Sequence, residues 1–385
     1  MLKSRYLARL PMLLVLLLLT GALYGGLARI GWGLPVIQRQ LAGLHGVLMI
    51  AGVFGTVISV ERAVALRTNS RSPLASAGFL PPLFSAVGAA LLLLDGAADA
   101  GKVLLILSGL GLLIVYGVVI YRQPTVFTLV MAAGGYMLLM GNALWAVGNP
   151  VHRMVYWWIG FLVLTIVGER LELVRVMRPS RLRQPAFYAA VTVFIVGIAL
   201  TTYASLDVGV RVMGVGEIAL AAWLLRYDIA RFTIRQRGLS RFIAACLLMG
   251  YVWLGAGGVL SVIYGGEVAG VYYDAVLHTV LLGFVFSMIF GHAPIIIPAV
   301  LKLPVPFNPR FYAHLALLHG ALVLRVFGDL LLDAQTRQWG GLLNGAAIVL
   351  FLLNIAWAVR RAPRHAPEAR AAVRGMARLD TESGA

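Results

Sequence analysis

The chain has 385 residues, 61% of them hydrophobic and 12% charged, with a formal net charge of +17 and a mean hydropathy of +0.89. Soluble domains carry about a quarter of their residues as Asp, Glu, Lys or Arg, so this composition excludes a water-soluble globular protein. It also argues against a nucleic-acid-binding domain, because the basic residues stand at the ends of apolar runs instead of forming a basic groove. The single cysteine, Cys246, cannot form an intrachain disulfide or a CxxC metal site and is expected to be buried and structural.

The apolar runs predict twelve spans, near 8–29, 41–66, 74–95, 101–121, 125–148, 154–176, 185–206, 209–232, 242–265, 272–301, 311–333 and 340–360. At 1.5 Å per residue each can cross a core of about 30 Å. Helices are the only reading, since the runs exceed membrane strands in length and lack period-two alternation. Lys3, Arg5 and Arg9 ahead of the first span resemble a signal peptide. That apolar run is too long, however, and no small-x-small site succeeds it, so a retained first span is expected. The predicted fold class is all-α and polytopic, with a transmembrane domain over 1–361 and a basic, disordered tail over 362–385 that faces lipid.

Lys and Arg set the expected orientation. Arg67 and Arg71 follow span two; Arg175, Arg178, Arg181 and Arg183 follow span six; Arg231, Arg235, Arg237 and Arg241 follow span eight; Lys302 and Arg310 follow span ten. The opposite loops carry Asp95, Asp99, Asp207, Glu267 and Asp333. Both termini are then expected on the cytoplasmic side of a cell membrane.

A short repeat marks the even spans. Gly52 is followed nine positions later by Glu61-Arg62, Gly160 by Glu169-Arg170, and Gly283 by His292-Ala293. Such spacing suggests internal duplication, an ordinary origin of membrane bundles.

Polar side chains inside spans are the candidate functional groups, because each needs a partner, a wet cavity or a metal. By depth, His45 in span two matches His278 in span ten on the outer side. His292 matches His314 or His319 of span eleven on the inner side. His278 and His292, fourteen apart, fall within about 40° of one face of an ideal helix. His314 and His319, five apart, diverge by about 140° and so compete for the inner site. His152, in an outer loop, and His365, in the tail, are set aside. Two imidazoles across one iron are what a low-spin b-type haem requires, and Gly43, Gly46, Gly52 and Gly283 would let a flat macrocycle approach the backbone. The plainer alternative is that each histidine bonds a carbonyl or hydroxyl within the bundle. Glu61, Arg62, Glu169 and Arg170 can pair between helices, and Arg325 and Asp329, four apart, are expected to pair with each other. Anchoring haem propionates and carrying protons are the functional alternatives for these charges.

Leu-His-Gly-Val-Leu-Met-Ile-Ala-Gly-Val-Phe-Gly at 44–55 and His-Thr-Val-Leu-Leu-Gly-Phe-Val-Phe-Ser-Met-Ile-Phe-Gly-His at 278–292 resemble the NnrS family of haem- and copper-containing membrane proteins, or a sister group. Span count and histidine placement also resemble haem–copper oxidase subunit I. The resemblance implies His45 and His278 as axial haem ligands. It does not extend to a complete oxygen-reducing centre: the copper-binding histidines of oxidase spans six and seven have no counterpart here, and Gly-His-Ala-Pro at 291–294 departs from the Gly-His-Thr-Gly-Arg ending of NnrS proteins.

The sequence therefore points to a multi-pass protein surrounded by membrane lipid. Haem b is the expected cofactor, copper is a second candidate, and a redox partner or small gas ligand such as nitric oxide would be its counterpart. A haem-dependent oxidoreductase is the enzyme class this allows. A cofactor-free transporter, with broken helices at Pro81-Pro82 and Pro294, and a membrane scaffold or assembly factor are the rivals.

Overall fold

The computed structural model describes residues 2–35, 37, 40–68, 74–174 and 182–362. Among them there is no strand. The long helices are α1 (Leu2–Arg29), α2 (Leu41–Thr68), α3 (Leu80–Leu91), α4 (Ala98–Arg122), α5 (Val126–Ala146), α6 (Val151–Val174), α7 (Arg183–Tyr203), α8 (Leu206–Tyr227), α9 (Gly238–Tyr264), α10 (Val271–Leu301), α11 (Phe311–Leu330) and α12 (Ala334–Arg361). Eleven of these described helices are long and apolar enough to cross a bilayer. The protein is an all-α, polytopic membrane protein. Arg71, Arg175, Arg178, Arg181 and the tail from 363 onward lie outside the described residues.

The exception is α3, expected as a full span over 74–95. It begins only at Leu80, with Pro81 and Pro82 in its first turn. Proline has no N–H to donate and clashes with a preceding helical turn, so the pair starts a helix and cannot continue one from Leu74–Ala77. Twelve residues then reach only about 18 Å. Pro294 does not act this way: α10 runs through Pro294 and Pro298 to Leu301 and ends at Lys302 in the left-handed conformation. His152 lies in the first turn of α6, not in a loop.

The centre of the bundle is α6. Its most apolar stretch is 83% buried, against 33% for α1, α4 and α12. A helix apolar on every face belongs inside, and α6 brings Tyr156, Trp157, Trp158, Phe161 and Leu162 to the core. It touches both α2 and α10. The three spans that carry the glycine repeat therefore converge.

Two of those three share a further feature. Within α2 the chain changes to π-helical winding over Leu48–Phe54, and within α10 it does so over Thr279–Phe286. In both, the switch begins within three residues of a histidine, His45 or His278. A π-turn takes more residues than an α-turn and rotates the side chains beyond it to a new face. Its effect is visible at the far end of each segment. His45 and Phe54, nine apart, would lie about 180° apart on an unbroken α-helix, yet Phe54 and Phe286 meet edge-to-face at 5.4 Å, on the same helix–helix seam as the histidines.

Candidate functional site

The His45 and His278 rings come together with centroids 6.4 Å apart and planes inclined by 22°. Each is held from behind through Nδ1. His45 Nδ1 lies 2.6 Å from the Ala22 carbonyl of α1, and His278 Nδ1 lies 2.9 Å from the Asp274 carbonyl one turn earlier. A carbonyl can only accept, so both rings carry their proton on Nδ1 and their lone pair on Nε2; on His278 that nitrogen lies 3.4 Å from Arg325 Nη2, a contact a ligand would have to displace. Gly26 makes the first contact possible: a Cβ there would fall 2.8 Å from Cε1 of His45.

Both rings line a cavity of about 240 Å³ at the end of the bundle where α1 and α11 finish and α12 begins. Its apolar wall includes Met49, Phe54, Leu281 and Phe286, and Arg29, Arg325 and Arg337 supply its cationic side. Gly43 and Gly46 border it with open space where a Cβ would stand. Gly52 and Gly283, expected to do the same, serve helix packing instead: a Cβ on Gly52 would meet Ala89 at 2.9 Å, and one on Gly283 would run into the Trp253 ring.

Arg325 grips Asp274 in a two-pronged ion pair, Nε to Oδ2 at 2.7 Å and Nη2 to Oδ1 at 2.8 Å. The Asp274 carboxylate also stands 3.2 Å from His278 Nδ1. The expected Arg325–Asp329 pair does not form. Two planar groups prefer bidentate geometry, which Asp274 on α10 offers to Arg325, while Asp329 is fully buried with Arg337 Nε at 3.9 Å.

These residues fit a bis-imidazole haem. A ring nitrogen stands about 1.1 Å from its centroid and a metal–imidazole bond is about 2.0–2.1 Å, so one iron between two imidazoles sets the centroids about 6.3 Å apart. A bare ion fits poorly. Among the described residues no group of three or more His, Cys, Asp or Glu could hold one, and tetrahedral zinc needs four ligands. A macrocycle brings four nitrogens of its own, and the arginines match its propionates.

The inner histidines are not brought together as expected; each has other partners. His292 donates from Nδ1 to the Met288 carbonyl at 2.6 Å and accepts from Arg170 at 3.0 Å. His319 accepts from the Trp253 indole at 2.8 Å and faces Ser287 Oγ at 3.4 Å. His314 lies 3.1 Å from Asn354 Nδ2, among the rings of Phe290, Phe311, Phe242 and Phe351. The 100°-per-residue phase that aligns His292 with His278 on an ideal helix fails because eight residues between them are π-wound. The charges close by form a tie between spans: Arg62 donates to Glu61 at 2.8 Å and to Glu169 at 2.5 Å. The glycine-repeat ends of α2, α6 and α10 thus meet as Glu61-Arg62, Glu169-Arg170 and His292.

The sequence profile of a family described as "Domain of unknown function (DUF8744)" matches residues 8–360. The chain belongs to that family. A search of curated proteins gives no match. The profile of the DUF8744 family reaches all twelve long helices, leaving out only the first turns of α1 and the last residue of α12, and includes the cavity and the Arg62–Glu169 tie.

Sequence reasoning passes over Asp274, Arg29 and Arg337 as site residues. Asp274 precedes His278 by four positions, the spacing of helical neighbours, which is signal enough. Arg29 and Arg337 are visible only as cations at the ends of two spans.

Proposed function

We propose that the protein is a haem b-binding electron-transfer protein of a prokaryotic cytoplasmic membrane, in which His45 and His278 would hold the haem. The observation that carries this is the pair of rings 6.4 Å apart, each bonded through Nδ1 to a backbone carbonyl so that its lone pair is on Nε2. The chain's own part is to fix both imidazoles, with Asp274 beside His278 Nδ1 and Arg325, paired to Asp274, facing His278 Nε2, and to meet anionic propionates with Arg29 and Arg337. Haem, when bound, supplies one-electron chemistry that ligand identity and burial tune. Two imidazoles that would both hold the group favour electron transfer over handling a diatomic gas such as nitric oxide, for which one of them would have to give way. Haem is favoured over a lone copper ion because two histidines alone under-ligate a metal. Bilayer lipid covers the outward-facing apolar side chains.

The test is the optical spectrum of the detergent-purified protein, oxidised and dithionite-reduced, beside His45→Ala and His278→Ala. A sharp reduced α-band of b type, weakened by both substitutions, supports the proposal. A colourless protein from haem-replete cells refutes it. A nitric-oxide-induced change in the wild-type spectrum would move the function toward gas handling.

A further inference from the structure

At the end of the bundle opposite the histidine cavity, α11 begins and α12 finishes. There the guanidinium carbon of Arg310 lies 4.7 Å from the centroid of the Trp357 ring, and that of Arg361 lies 4.9 Å from the same ring. Indole is the strongest cation–π partner among the aromatic side chains, and Trp settles at the level of lipid headgroups. Arg310 is set in place through its backbone. Its N–H donates to Asn308 Oδ1 at 3.0 Å, and its carbonyl accepts from the Ala313 N–H at 3.0 Å and from Asn354 Nδ2 of α12 at 3.4 Å. Arg361 follows Trp357 by four positions on α12, the spacing of helical neighbours.

The two cations have no anion between them. Both are exposed, and among the described residues neither makes an ion pair. Between positions 302 and 361 the only acidic residues are Asp329 and Asp333, at the connection from α11 to α12 and so at the far end. Like charges gathered on one ring repel each other, and an anion shared between them turns that repulsion into attraction. Below the ring the α12 surface is apolar and open: Val349 and Leu353, at successive four-residue steps before Trp357, are 46% and 61% exposed. Val349, Leu353, Trp357 and Arg361 therefore form one i,i+4 ridge that runs from hydrocarbon to the headgroup level. A lipid with an anionic phosphate has the same order of parts, and the planar fork of Arg matches phosphate oxygens two at a time.

We propose that Arg310, Trp357 and Arg361 form a clamp for an anionic phospholipid, whose phosphate is held by both guanidinium groups and whose acyl chains lie along Leu353 and Val349. The indole keeps the two forks at one level, which a loose basic surface does not. Arg360 supplies the same charge outside the clamp: it stands about 100° away from Arg361 around the helix and has no ring contact among the described residues. The clamp shares no residue with the histidine cavity and does not rest on haem.

Native mass spectrometry of the full-length, delipidated protein, titrated with phosphatidylglycerol or with phosphatidylcholine, tests it. The anionic lipid should bind more tightly than the zwitterionic one, whose ammonium group the two arginines repel. Arg310→Gln and Arg361→Gln should each weaken phosphatidylglycerol binding about five-fold, the effect of one cation at a charged lipid surface. Arg360→Gln should leave it unchanged. Trp357→Leu should weaken it as well, although no charge is removed. Equal losses in Arg360→Gln and Arg361→Gln would mean a diffuse basic surface and would overturn the proposal, as would equal binding of the two lipids. Displacement of the lipid by millimolar inorganic phosphate would mean that the site takes a soluble anion and would overturn the lipid as its occupant.

Discussion

His45 and His278 face one another across 6.4 Å from two helices that each leave α-winding within three residues of the histidine. Neither ring is placed by its own helix alone. His45 is fixed by a carbonyl of α1, and the region around His278 is fixed by an arginine of α11. Four helices thus set one ligand-to-ligand distance, which is how a small error in a membrane bundle is kept from opening a site.

The role of α1 can be tested without touching a ligand. Gly26→Val would place side-chain carbon where the His45 ring now lies, since even a Cβ comes within 2.8 Å of it. The ring must swing away and lose its bond to Ala22. The b-type band should fall nearly as far as in His45→Ala, while the helical content seen by circular dichroism is kept. An unchanged spectrum would show that α1 does not position His45.

The Asp274–Arg325 pair predicts a stability signature. Asp274→Asn leaves the Arg325 guanidinium, whose side chain is 10% exposed, without its anion, and breaking one half of such a pair costs about 3–5 kcal/mol. Thermal unfolding in detergent should show a clear drop in Tm. The double variant with Arg325→Met should recover much of it, because no uncompensated charge remains. Equal losses in the single and double variants would mean that the pair adds nothing beyond packing.

Two glycines separate packing from cavity. Gly283→Ala drives a Cβ into the Trp253 ring, and overpacking of this kind costs about 1–3 kcal/mol. Gly46→Ala meets nothing within 4 Å and should leave Tm unchanged. Gly46→Phe, filling the cavity mouth, should lower cofactor content with little change in stability. The reverse pattern would mean that the cavity is a packing gap and not a binding site.

Much of this is legible in the sequence because depth along a span depends only on residue count. The distances of His45 and His278 from the ends of two apolar runs assign them one level, and length alone gives the spans themselves. Rotational phase is what residue count cannot supply. Leu48–Phe54 and Thr279–Phe286 carry no proline, and Thr279 is their only polar residue, so nothing in the pattern marks them as π-wound and ideal-helix geometry aims His292 at the wrong face. The partner of Arg325 escapes for a related reason: sequence spacing favours the i,i+4 neighbour Asp329 over a residue 51 positions away, and only the packing of α10 on α11 decides between them. Pro81-Pro82 does announce a break, and α3 has it.

The inner end supplies the last test. His292 and His319 have a protein neighbour on each nitrogen, and His314 keeps an unpartnered Nε2 inside a box of phenylalanines, but among the described residues only His45 and His278 form a facing pair of imidazoles. The purified protein should carry one haem per chain, and His292→Ala, His314→Ala and His319→Ala should each keep that content. The charges beside His292 should matter for stability instead. Arg62→Met strands Glu61 and Glu169, both mostly buried, and should lower Tm, whereas adding Glu169→Gln to it should restore part of the loss. A haem stoichiometry of two, lowered to one by His292→Ala, would instead place a second cofactor between α6 and α10 and require the Arg170–His292 contact to open when it binds.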